Sequence, residues 1–344
     1  MDVSAAFLQA EDIKRDIYVK LTKSIENDES MVYKLRKPLY GLTDAGRAFY
    51  KKLTKIFETN GYETTLGDAC FFRGYRKDGK LDGMLLSHVD DIIINGSEKF
   101  VNETVELLKK ELTISKVVKS QFRFCGLDLN QKDGKIELSM EDYAKSLFIA
   151  PIPNKTKNTA KLTPKQMTML RGKIGALSWL SMNVRMDLSF GAHELSKIVG
   201  NATIKDLKTS NALVRRAMKR QNKIVYRSVG KPEDLVVYGF SDAAYQLDGK
   251  STGGQIILIG NKHDTRVSPI GWKSKLIRKA SRSSKDAELL TLSTVSDHAI
   301  HVGKQLEEIL YRKKNGTKYK PVIFTDNACT LESIVSSKLI ERRY

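Results

Sequence analysis

Two adjacent aspartates interrupt an apolar stretch of this chain and constrain how it can fold. Asp90 and Asp91 lie inside the segment GMLLSHVDDIII, residues 83–94. A continuous strand points successive side chains to opposite faces, and burying unpaired carboxylates costs several kcal/mol. A tight turn between two strands avoids both problems and presents carboxylates that suit hard divalent cations. A plain surface turn with two solvated aspartates fits this dipeptide equally well.

A third carboxylate, near the start of the sequence, favours a metal-binding cluster. Asp2 precedes the apolar, strand-compatible run VSAAF. A carboxylate from a second strand completes a cluster that can hold two metal ions about 3.5–4 Å apart. In-line nucleotidyl transfer needs such a pair, because one ion activates the attacking 3′-hydroxyl and the other stabilises the leaving oxygens.

The charge balance indicates a polyanionic partner. The 344 residues contain 59 Lys and Arg against 40 Asp and Glu, which gives a net charge of +19. This excess favours nucleic acid, although a solubility role or a non-catalytic ribosome- or chromatin-associated role gives the same number. With 41% hydrophobic and 29% charged residues, the composition excludes a disordered tail, a collagen-like repeat and a coiled coil.

The sequence predicts a protein that neither crosses a membrane nor is secreted. No apolar run reaches about 18 residues, and the N-terminus lacks the basic and apolar regions of a secretory signal. Cys70, Cys125 and Cys329 are widely separated, so we expect neither a disulfide framework nor a cysteine zinc site. Such cysteine usage favours a reducing compartment.

Hydrophobic spacing and turn residues divide the chain at residues 150–165, APIPNKTKNTAKLTPK, which are typical of a linker. Before it, the patterns predict helices at Gly46–Asn60 and Glu98–Leu112 and a hairpin of Phe122–Asn130 with Lys135–Ser139, turning at Lys132, Asp133 and Gly134. After it, they predict helical segments at Gln166–Met182 and Ser189–Val199, a basic face over Ile204–Val225, three strands from Leu235, a helix at Ser284–Leu310 and a strand at Lys320–Thr325.

Several ordered motifs resemble the reverse transcriptase region of copia-type LTR retrotransposons. In the first half they are MDVSAAFLQAE, YKLRKPLYGLTDAGRAFY, LLSHVDDIIING and FRFCGLDLNQKDGKIELSMEDY. In the second half, LRGKIGALSWLSMNVRMDLSFGAHELS is similar to the family's connecting region. The segments GFSDAAYQLDGKSTGGQIILIG, SRSSKDAELLTLS and PVIFTDNA are similar to its RNase H domain.

The resemblance implies an α/β (α+β) fold. It implies a reverse-transcriptase palm with the start of the thumb in residues 1–150 and a linker with a helical thumb or connection in 151–232. An RNase H-like α/β domain follows in 233–344. Periodicity alone gives a mixed α/β chain of two domains.

The resemblance also implies roles for residues of the first domain. Asp2 matches the first catalytic, metal-binding aspartate of the palm, and Asp90 and Asp91 match the paired aspartates of its hairpin. Phe7 matches the aromatic residue that excludes a ribose 2′-hydroxyl, although a core aromatic on a strand is the plainer interpretation. The remaining matches are Tyr40 and Gly41 at the nucleotide and template pocket, Lys34, Arg36, Lys37 and Arg47 as phosphate contacts or an ordinary solvated face, and Phe124–Leu129 at the primer-grip hairpin.

In the last domain, Asp242, Glu288 and Asp326 match three of the RNase H carboxylates that bind metal and cut the RNA strand of a hybrid. Without the family, Asp286 and Glu288 are helix N-terminal acids that the helix dipole stabilises. Gly253 and Gly254 allow the second strand to approach its neighbours closely or to bulge. The remaining candidates, His263, His298 and His301, match no metal pattern and are interpreted as surface or core histidines.

Four departures from the family pattern predict a piece of a longer polyprotein, truncated at both ends. Asp2 stands at the second position, without the fingers segment that precedes this motif in the family. His88 replaces the usual aromatic before the paired aspartates, and Gly46 stands where the family commonly has Pro. The sequence ends at Tyr344, before the family's fourth RNase H aspartate and last helix.

The leading hypothesis is an RNA-directed DNA polymerase with linked RNase H, which serves retrotransposon replication. It implies two Mg²⁺ ions per active site, with Mn²⁺ as an alternative, and an RNA template, a DNA primer, RNA–DNA hybrid and dNTPs as partners. The family places such a protein in cytoplasmic virus-like particles, with the nucleus as a second location. The alternatives are a catalytically inactive nucleic-acid-binding fragment and a pseudogene product that exposes strand edges and aggregates.

Overall fold

The structure, a computed structural model, describes residues 1–20, 31–247, 251–312 and 318–336 and divides into two compact units. The first unit comprises Met1–Lys119 with Glu308–Lys314, and the second comprises Ser120–Glu307 with Asn315–Tyr344. The domain boundaries predicted near residues 150 and 232 stay a prediction.

The first unit contains an antiparallel sheet and two helices. Its elements are β1 (Asp2–Val3), β2 (Tyr18–Val19), β3 (Tyr33–Lys34), α1 (Ala45–Thr59), β4 (Glu63–Thr64), β5 (Phe71–Tyr75), β6 (Leu81–His88), β7 (Asp91–Gly96), α2 (Glu98–Glu111) and β8 (Ile114–Lys116). Six strands form one sheet in the order β4-β5-β6-β7-β1-β8, and β2 pairs with β3 separately. The short strand β1 therefore lies between β7 and β8.

Helix α1 forms because its apolar residues recur at helical spacing. Phe49, Leu53, Ile56 and Phe57 are buried and pack with Phe72 of the sheet in one hydrophobic core. This confirms the helix predicted at Gly46–Asn60 within one residue at each end.

Helix α2 covers the sheet through one aromatic side chain. Ser97 caps its N-terminus by accepting a hydrogen bond from the Phe100 amide at 3.1 Å. The Phe100 ring lies so close to Gly74 and Gly83 that a Cβ atom at either glycine would overlap it. Glycine at these strand positions therefore permits the helix to approach the sheet.

The second unit contains two sheets and the helices that pack with them. Its elements, in chain order, are β9 (Gln121–Phe124), β10 (Leu127–Lys132), β11 (Lys135–Ser139), α3 (Glu141–Lys145), α4 (Pro164–Asn183), α5 (Ser189–Ile198), α6 (Ile204–Lys219), β12 (Ile224–Arg227), β13 (Leu235–Ala244), β14 (Thr252–Asn261), β15 (Asp264–Leu276), α7 (Ser284–Tyr311), β16 (Val322–Thr325) and α8 (Ala328–Val335).

Two four-stranded sheets organise this unit. The first has the order β12-β11-β10-β9, and its β10–β11 hairpin turns at Asp133 and Gly134, both in the left-handed region. This confirms the Asp-Gly turn that the sequence predicts. The second has the order β15-β14-β13-β16, in which β16 runs parallel to β13 and the other pairs are antiparallel.

The linker segment leads directly into α4. Its last residues form a capping box, in which Thr163 and Gln166 satisfy each other's backbone amides, with Pro164 in the first turn. Leu177 and Leu180 of α4 pack with Val214 of α6 in the core of the helical layer. The predicted helices at Gln166–Met182 and Ser189–Val199 are therefore confirmed as α4 and α5.

The basic segment Ile204–Val225 contains a helix and the start of a strand. Helix α6 stops at Lys219, and Ile224 begins strand β12, which pairs with β11. Arg220 leaves the helical conformation at φ −102° and ψ 105°. The β-branched Ile224 and Val225 extend the adjacent sheet, where such side chains pack well.

The elements from residue 235 onward match the predicted order of three strands, a long helix and a strand. Helix α7 packs on the second sheet through Thr291 and Val295, which face Gly253 and Gly239 so closely that neither glycine has room for a Cβ atom. None of the helices in the described part of the chain has the length and apolarity that a bilayer crossing requires.

A lysine is buried inside the helical layer without a carboxylate partner in its described contacts. The side chain of Lys173 on α4 is 1% exposed, and its ammonium donates a hydrogen bond to Asn211 Oδ1. Asn211 also holds Ala150, accepting from its amide at 3.0 Å and donating to its carbonyl at 2.9 Å. Burial, reinforced by repulsion from Arg215, lowers the pKa of Lys173 from 10.5 to about 8.

We expect the substitution Lys173→Met to stabilise the protein at pH 7 by roughly 1–3 kcal/mol, because it removes a buried charge. Between the folded pKa of about 8 and the unfolded value of 10.5, the unfolded chain binds more protons. The stability of the unsubstituted protein therefore rises with pH across that window, and the advantage of the variant shrinks. Urea unfolding at pH 7, 8.5 and 10 measures this difference.

The matched control is Lys165→Met, at an exposed position in the first turn of the same helix. The difference in unfolding free energy between this control and the unsubstituted protein should be small and should not change with pH across the three values. A Lys173→Met variant that is less stable at pH 7 would contradict the inference, since the loss would show that the ammonium is net stabilising.

Candidate active sites

The paired aspartates lie where the sequence predicts them, at a tight hairpin turn. Strands β6 and β7 pair antiparallel with His88 opposite Asp91, which leaves Val89 and Asp90 as the two turn residues. Val89 adopts φ +57°, a left-handed conformation that is strained for a β-branched residue. The Ser87 hydroxyl supports the turn by donating to the Val89 carbonyl at 3.2 Å.

The structure brings Asp2 next to this turn. Asp2 is the register partner of Asp91, and the flanking hydrogen bonds run from Val3 N to Asp90 O at 2.9 Å and from Ile92 N to Met1 O at 2.8 Å. Asp2 and Asp91 therefore form the narrow, non-hydrogen-bonded type of antiparallel pair, in which side chains on one face lie closest. Their Cβ atoms are about 4.5–5.5 Å apart in this geometry.

Like charges at this spacing disfavour full ionisation. Burial raises the pKa of Asp91, and the nearby carboxylates of Asp90 and Asp2 raise it further. The N-terminal ammonium and His88 act in the opposite direction with smaller effects. The strand pairing and the turn thus set the three aspartates side by side, but among the described residues their carboxylate oxygens do not form a group that lies within 4.8 Å of one another. A divalent cation bound there would relieve their repulsion.

Two aromatic side chains lie beside these carboxylates. The Tyr40 hydroxyl donates to Asp90 Oδ2 at 3.5 Å, and the Tyr40 and Phe7 ring centroids are 4.5 Å apart at 45°. Tyr40 is 63% exposed, so its ring is available to a ligand. The structure thus places Phe7 and Tyr40 together at the aspartate cluster, although their predicted roles in substrate binding stay a prediction.

The other residues predicted to bind substrate in this unit lie on the surface segments around α1. Gly41 follows Tyr40 with φ +103°, and exposed Arg47 lies on α1 at a cavity of about 470 Å³ lined also by Lys14 and Lys51. Two candidate phosphate contacts already have partners. Lys34 pairs with Asp16 at 2.6 Å, and Lys37 pairs with Asp12 at 2.9 Å.

The predicted primer-grip segment Phe124–Leu129 forms the tip of a hairpin. Cys125 and Gly126 make the turn between β9 and β10, with φ values of +48° and +82°. A turn in which both central residues have positive φ matches the twist of two paired strands.

The second site combines two neighbouring strands and a helix. Phe240 of β13 and Phe324 of β16 are register partners whose rings stack at 4.7 Å, and Asp242 and Asp326 follow two residues later. Helix α7 supplies Glu288. Among the described residues, these three carboxylates form a group whose ligand atoms all lie within 4.8 Å of one another.

The buried member of this group lacks a partner for one oxygen. Glu288 is 6% exposed, and its Oε1 atom accepts a hydrogen bond from the Ala243 amide at 3.2 Å. Its Oε2 atom is buried with no hydrogen-bond partner. Burial raises the pKa of Glu288, as do the Asp242 and Asp326 carboxylates, whereas the Ala243 hydrogen bond lowers it. An unpaired buried oxygen among three carboxylates fits a metal ion such as Mg²⁺, which prefers oxygen ligands.

Asp286 and Glu288 lie in the same helix but have different surroundings. Asp286 accepts a hydrogen bond from the Arg282 amide at 3.1 Å in the first turn of α7 and lies outside the group of three carboxylates. Of the two predicted close-approach glycines, Gly253 contacts Thr291, whereas Gly254 leaves ordinary space beside Asp242. The register shifts of β14 occur at Ile257–Leu258 and Gly260–Asn261 instead.

The predicted histidines lie in ordinary polar contacts. His298 Nδ1 is 3.1 Å from Gln255 Oε1, and His263 Nε2 is 3.5 Å from Asp234. Neither belongs to the carboxylate group of this unit.

Sequence reasoning missed two features of these sites. Ser115 donates a hydrogen bond to the Asp2 carboxylate, although it is 113 residues away in sequence. A cavity of about 750 Å³ includes Asp242 and Asp326 in its wall and is lined by a mixture of apolar side chains, among them Phe190 and Trp272, and polar ones such as Lys273. Neither feature has a local sequence signal, because each depends on segments that meet through folding.

Comparison with known proteins finds one matching family model and several similar polyproteins. Residues 1–167 match the family model described as reverse transcriptase (RNA-dependent DNA polymerase). The chain is 28% identical to the retrovirus-related Pol polyprotein from transposon RE1 of Arabidopsis thaliana, over 95% of this chain and 22% of that protein. It is 26% identical to the corresponding polyprotein from transposon RE2 of the same plant, over 95% of this chain and 23% of that protein.

A more distant plant relative and a solved structure agree with this. The retrovirus-related Pol polyprotein from transposon TNT 1-94 of Nicotiana tabacum is 23% identical over 93% of this chain and 25% of that protein. The foamy viral protease-reverse transcriptase, solved in complex with RNA/DNA hybrid, matches with a TM-score of 0.50 at 15% identity, over 87% of this chain and 36% of that chain. This likeness supports the predicted fold class.

The chain spans about a quarter of the length of these curated relatives. Their similarity extends across both units, and the family model covers the segments that carry Asp2, Asp90 and Asp91. Residues 1–167 therefore match the reverse transcriptase family model, and the chain is similar over most of its length to a region of retrovirus-related Pol polyproteins from plant transposons.

Proposed function

We propose that this chain is an RNA-directed DNA polymerase with a linked ribonuclease H. The observation that carries the proposal is the convergence of Asp2 with Asp90 and Asp91 on neighbouring strands of a reverse-transcriptase-family domain. The net charge of +19 supports an RNA template, a DNA primer and their hybrid as partners. Location in cytoplasmic particles or in the nucleus follows from the family resemblance and stays a prediction.

In the polymerase site, Asp2, Asp90 and Asp91 are the residues that would hold Mg²⁺, with Mn²⁺ as a substitute. When bound, the metal activates the primer 3′-hydroxyl and stabilises charge on the phosphate oxygens. The chain's part is to hold the three aspartates next to one another, through the narrow β1–β7 pair and the β6–β7 turn. A bound cation would favour their ionised forms. Phe7 and Tyr40 lie beside them and would contact the sugar of an incoming dNTP.

In the second site, Asp242, Glu288 and Asp326 are the residues that would hold Mg²⁺ for cleavage of the RNA strand. Asp242 and Asp326 are exposed and would be accessible to a nucleic acid strand, whereas Glu288 is buried and has an unpaired oxygen. This arrangement gives a ligand set with one rigid, buried member and two accessible ones. The adjoining cavity leaves space for substrate beside the carboxylates.

The substitution of Asp90 and Asp91 by Asn tests the polymerase assignment. We expect primer extension on an RNA template with Mg²⁺ and dNTPs to fall more than about 100-fold, which exceeds the usual cost of losing an outer-shell partner of a metal ligand. Gel-resolved extension by the purified chain measures the effect. Asp78→Asn, in the exposed turn between β5 and β6, is the matched control and should keep the activity of the unsubstituted chain.

An unsubstituted chain that does not extend the primer would overturn the assignment for this chain. If such a chain still binds primer–template with an affinity that falls steeply with salt and does not change in the double variant, it is a non-catalytic binding fragment. The strongly basic composition is the observation that supports this second function.

The substitution Glu288→Gln tests the ribonuclease assignment separately. We expect cleavage of the RNA strand of an RNA–DNA hybrid to fall by roughly 100-fold or more, because the amide cannot supply an anionic ligand. Primer extension should be unchanged. Labelled-hybrid cleavage measures the first effect.

The control for this experiment is Asp286→Asn in the first turn of the same helix, where an amide oxygen can still accept from the Arg282 backbone. It should cleave the hybrid like the unsubstituted chain. Equal loss of cleavage in both variants would show that the effect comes from the stability of α7 and would contradict the assignment of Glu288 as a ligand.

A further inference from the structure

Strand β8 contains an irregularity directly opposite Asp2. Asp2 is the register partner of Lys116, and Val3 is the partner of Ile114, so the register shifts between Asp2 and Val3. In a regular antiparallel pair, Val3 would face Ser115. Because Val3 faces Ile114 instead, Ser115 is the extra residue of a β-bulge. Bulges next to functional sites re-aim a side chain, because the extra residue bends the strand and increases its twist.

The extra residue uses its side chain to hold Asp2. The Ser115 hydroxyl donates to a carboxylate oxygen of Asp2, Oδ2, and lies 3.1 Å from the backbone carbonyl of the same residue. Oδ1 remains available on the other side of the carboxyl group. Because an ionised carboxylate accepts hydrogen bonds but donates none, the serine hydroxyl is a well-matched partner.

The bulge is itself held in place by Gln9. The Gln9 side-chain amide donates to the Ser4 carbonyl at 2.5 Å and to the Thr113 carbonyl at 3.0 Å, and it accepts from the Thr113 amide at 2.7 Å. The Ser4 amide also donates to the Thr113 carbonyl at 3.0 Å. These bonds tie the start of β8 to the turn after β1, two residues before Ser115.

We propose that Ser115, presented by the β-bulge of β8, is the positioning residue for the Asp2 carboxylate in the polymerase site. The inference rests on the proposed function and adds to it a residue that supports a metal ligand without contacting the metal. Ser115 fixes the rotation of the carboxyl group and leaves its other oxygen for the cation. Partners of this kind orient metal ligands in proteins, and their loss typically costs 10–100-fold in affinity or activity.

Two observations indicate that Ser115 orients the Asp2 side chain and is not needed for the stability of the fold. Ser115 is exposed, so removal of its hydroxyl leaves neither a cavity nor a buried unpaired group. Asp2 keeps its backbone pairing with Asp91 whatever residue stands at position 115, because that pairing runs along the opposite edge of β1. The effect of Ser115 therefore acts on the side-chain orientation of Asp2.

The test measures Mn²⁺ binding and Mg²⁺-dependent extension by the full chain. The background carries Asp242→Asn and Glu288→Gln, which disable the second carboxylate group. Free Mn²⁺ is followed by electron paramagnetic resonance in a titration with primer–template and dNTP present. We expect Ser115→Ala to weaken Mn²⁺ binding about 10-fold and to raise the Mg²⁺ concentration for half-maximal extension similarly. The KM for primer–template should stay unchanged.

Rescue and control variants separate positioning from a structural effect. Ser115→Thr keeps the hydroxyl and should bind Mn²⁺ like the background chain, and the exposed control Thr59→Ala on α1 should do the same. If Asp2→Asn abolishes Mn²⁺ binding and extension while Ser115→Ala changes neither, the positioning role is overturned and the polymerase site stands. If Asp2→Asn also changes neither, the proposed polymerase site fails and this inference fails with it.

Discussion

The pairing of Asp2 with Asp91 across two adjacent strands is the constraint on which the first unit depends. Two carboxylates on one face of a narrow antiparallel pair repel each other, and a third at the adjoining turn adds to the repulsion. Nothing in the hydrophobic core requires acids there, since Val3 and Ile92, the neighbouring residues of the same strands, are fully buried apolar side chains. One face of the sheet therefore packs into the hydrophobic core and contributes stability. The other face carries the aspartates, and a bound cation would relieve their repulsion.

The second unit solves the same electrostatic problem by a different construction. Asp242 and Asp326 extend two parallel, regularly paired strands, and the stacked Phe240 and Phe324 fix the register two residues earlier. Glu288 reaches them from a helix that packs closely because Gly253 leaves room for Thr291. Here the orientation of the carboxylates follows from packing and burial, whereas in the first unit it follows from a turn, a bulge and side-chain hydrogen bonds.

Local signals account for what the sequence predicted correctly. The Asp133–Gly134 turn, the apolar spacing of α1 and the aspartate pair between two apolar runs each lie within a few residues of one another, so the pattern itself carries the structure. The change from α6 to strand β12 has no such signal, because Ile224 suits both a helix and a strand, and pairing with the neighbouring strand β11 decides the outcome. The burial of Lys173 had no signal either, since Asn211 and Ala150 approach it from distant segments.

The residues around the proposed polymerase site show a physical reason why some features cannot be predicted from the sequence. The strained φ of Val89 and the bulge at Ser115 both occur within the β6–β7 and β1–β8 pairs that carry the aspartates. A regular ladder would alternate side chains between the two faces and give each residue one fixed direction. Presenting three carboxylates from two chain segments side by side requires departures from that regularity. The Val89 turn is supported by Ser87, two residues earlier, whereas the bulge is held by Gln9 from a distant segment. The aspartates themselves can be recognised from their motif, whereas the serine and glutamine that orient them become visible only when the strands are paired.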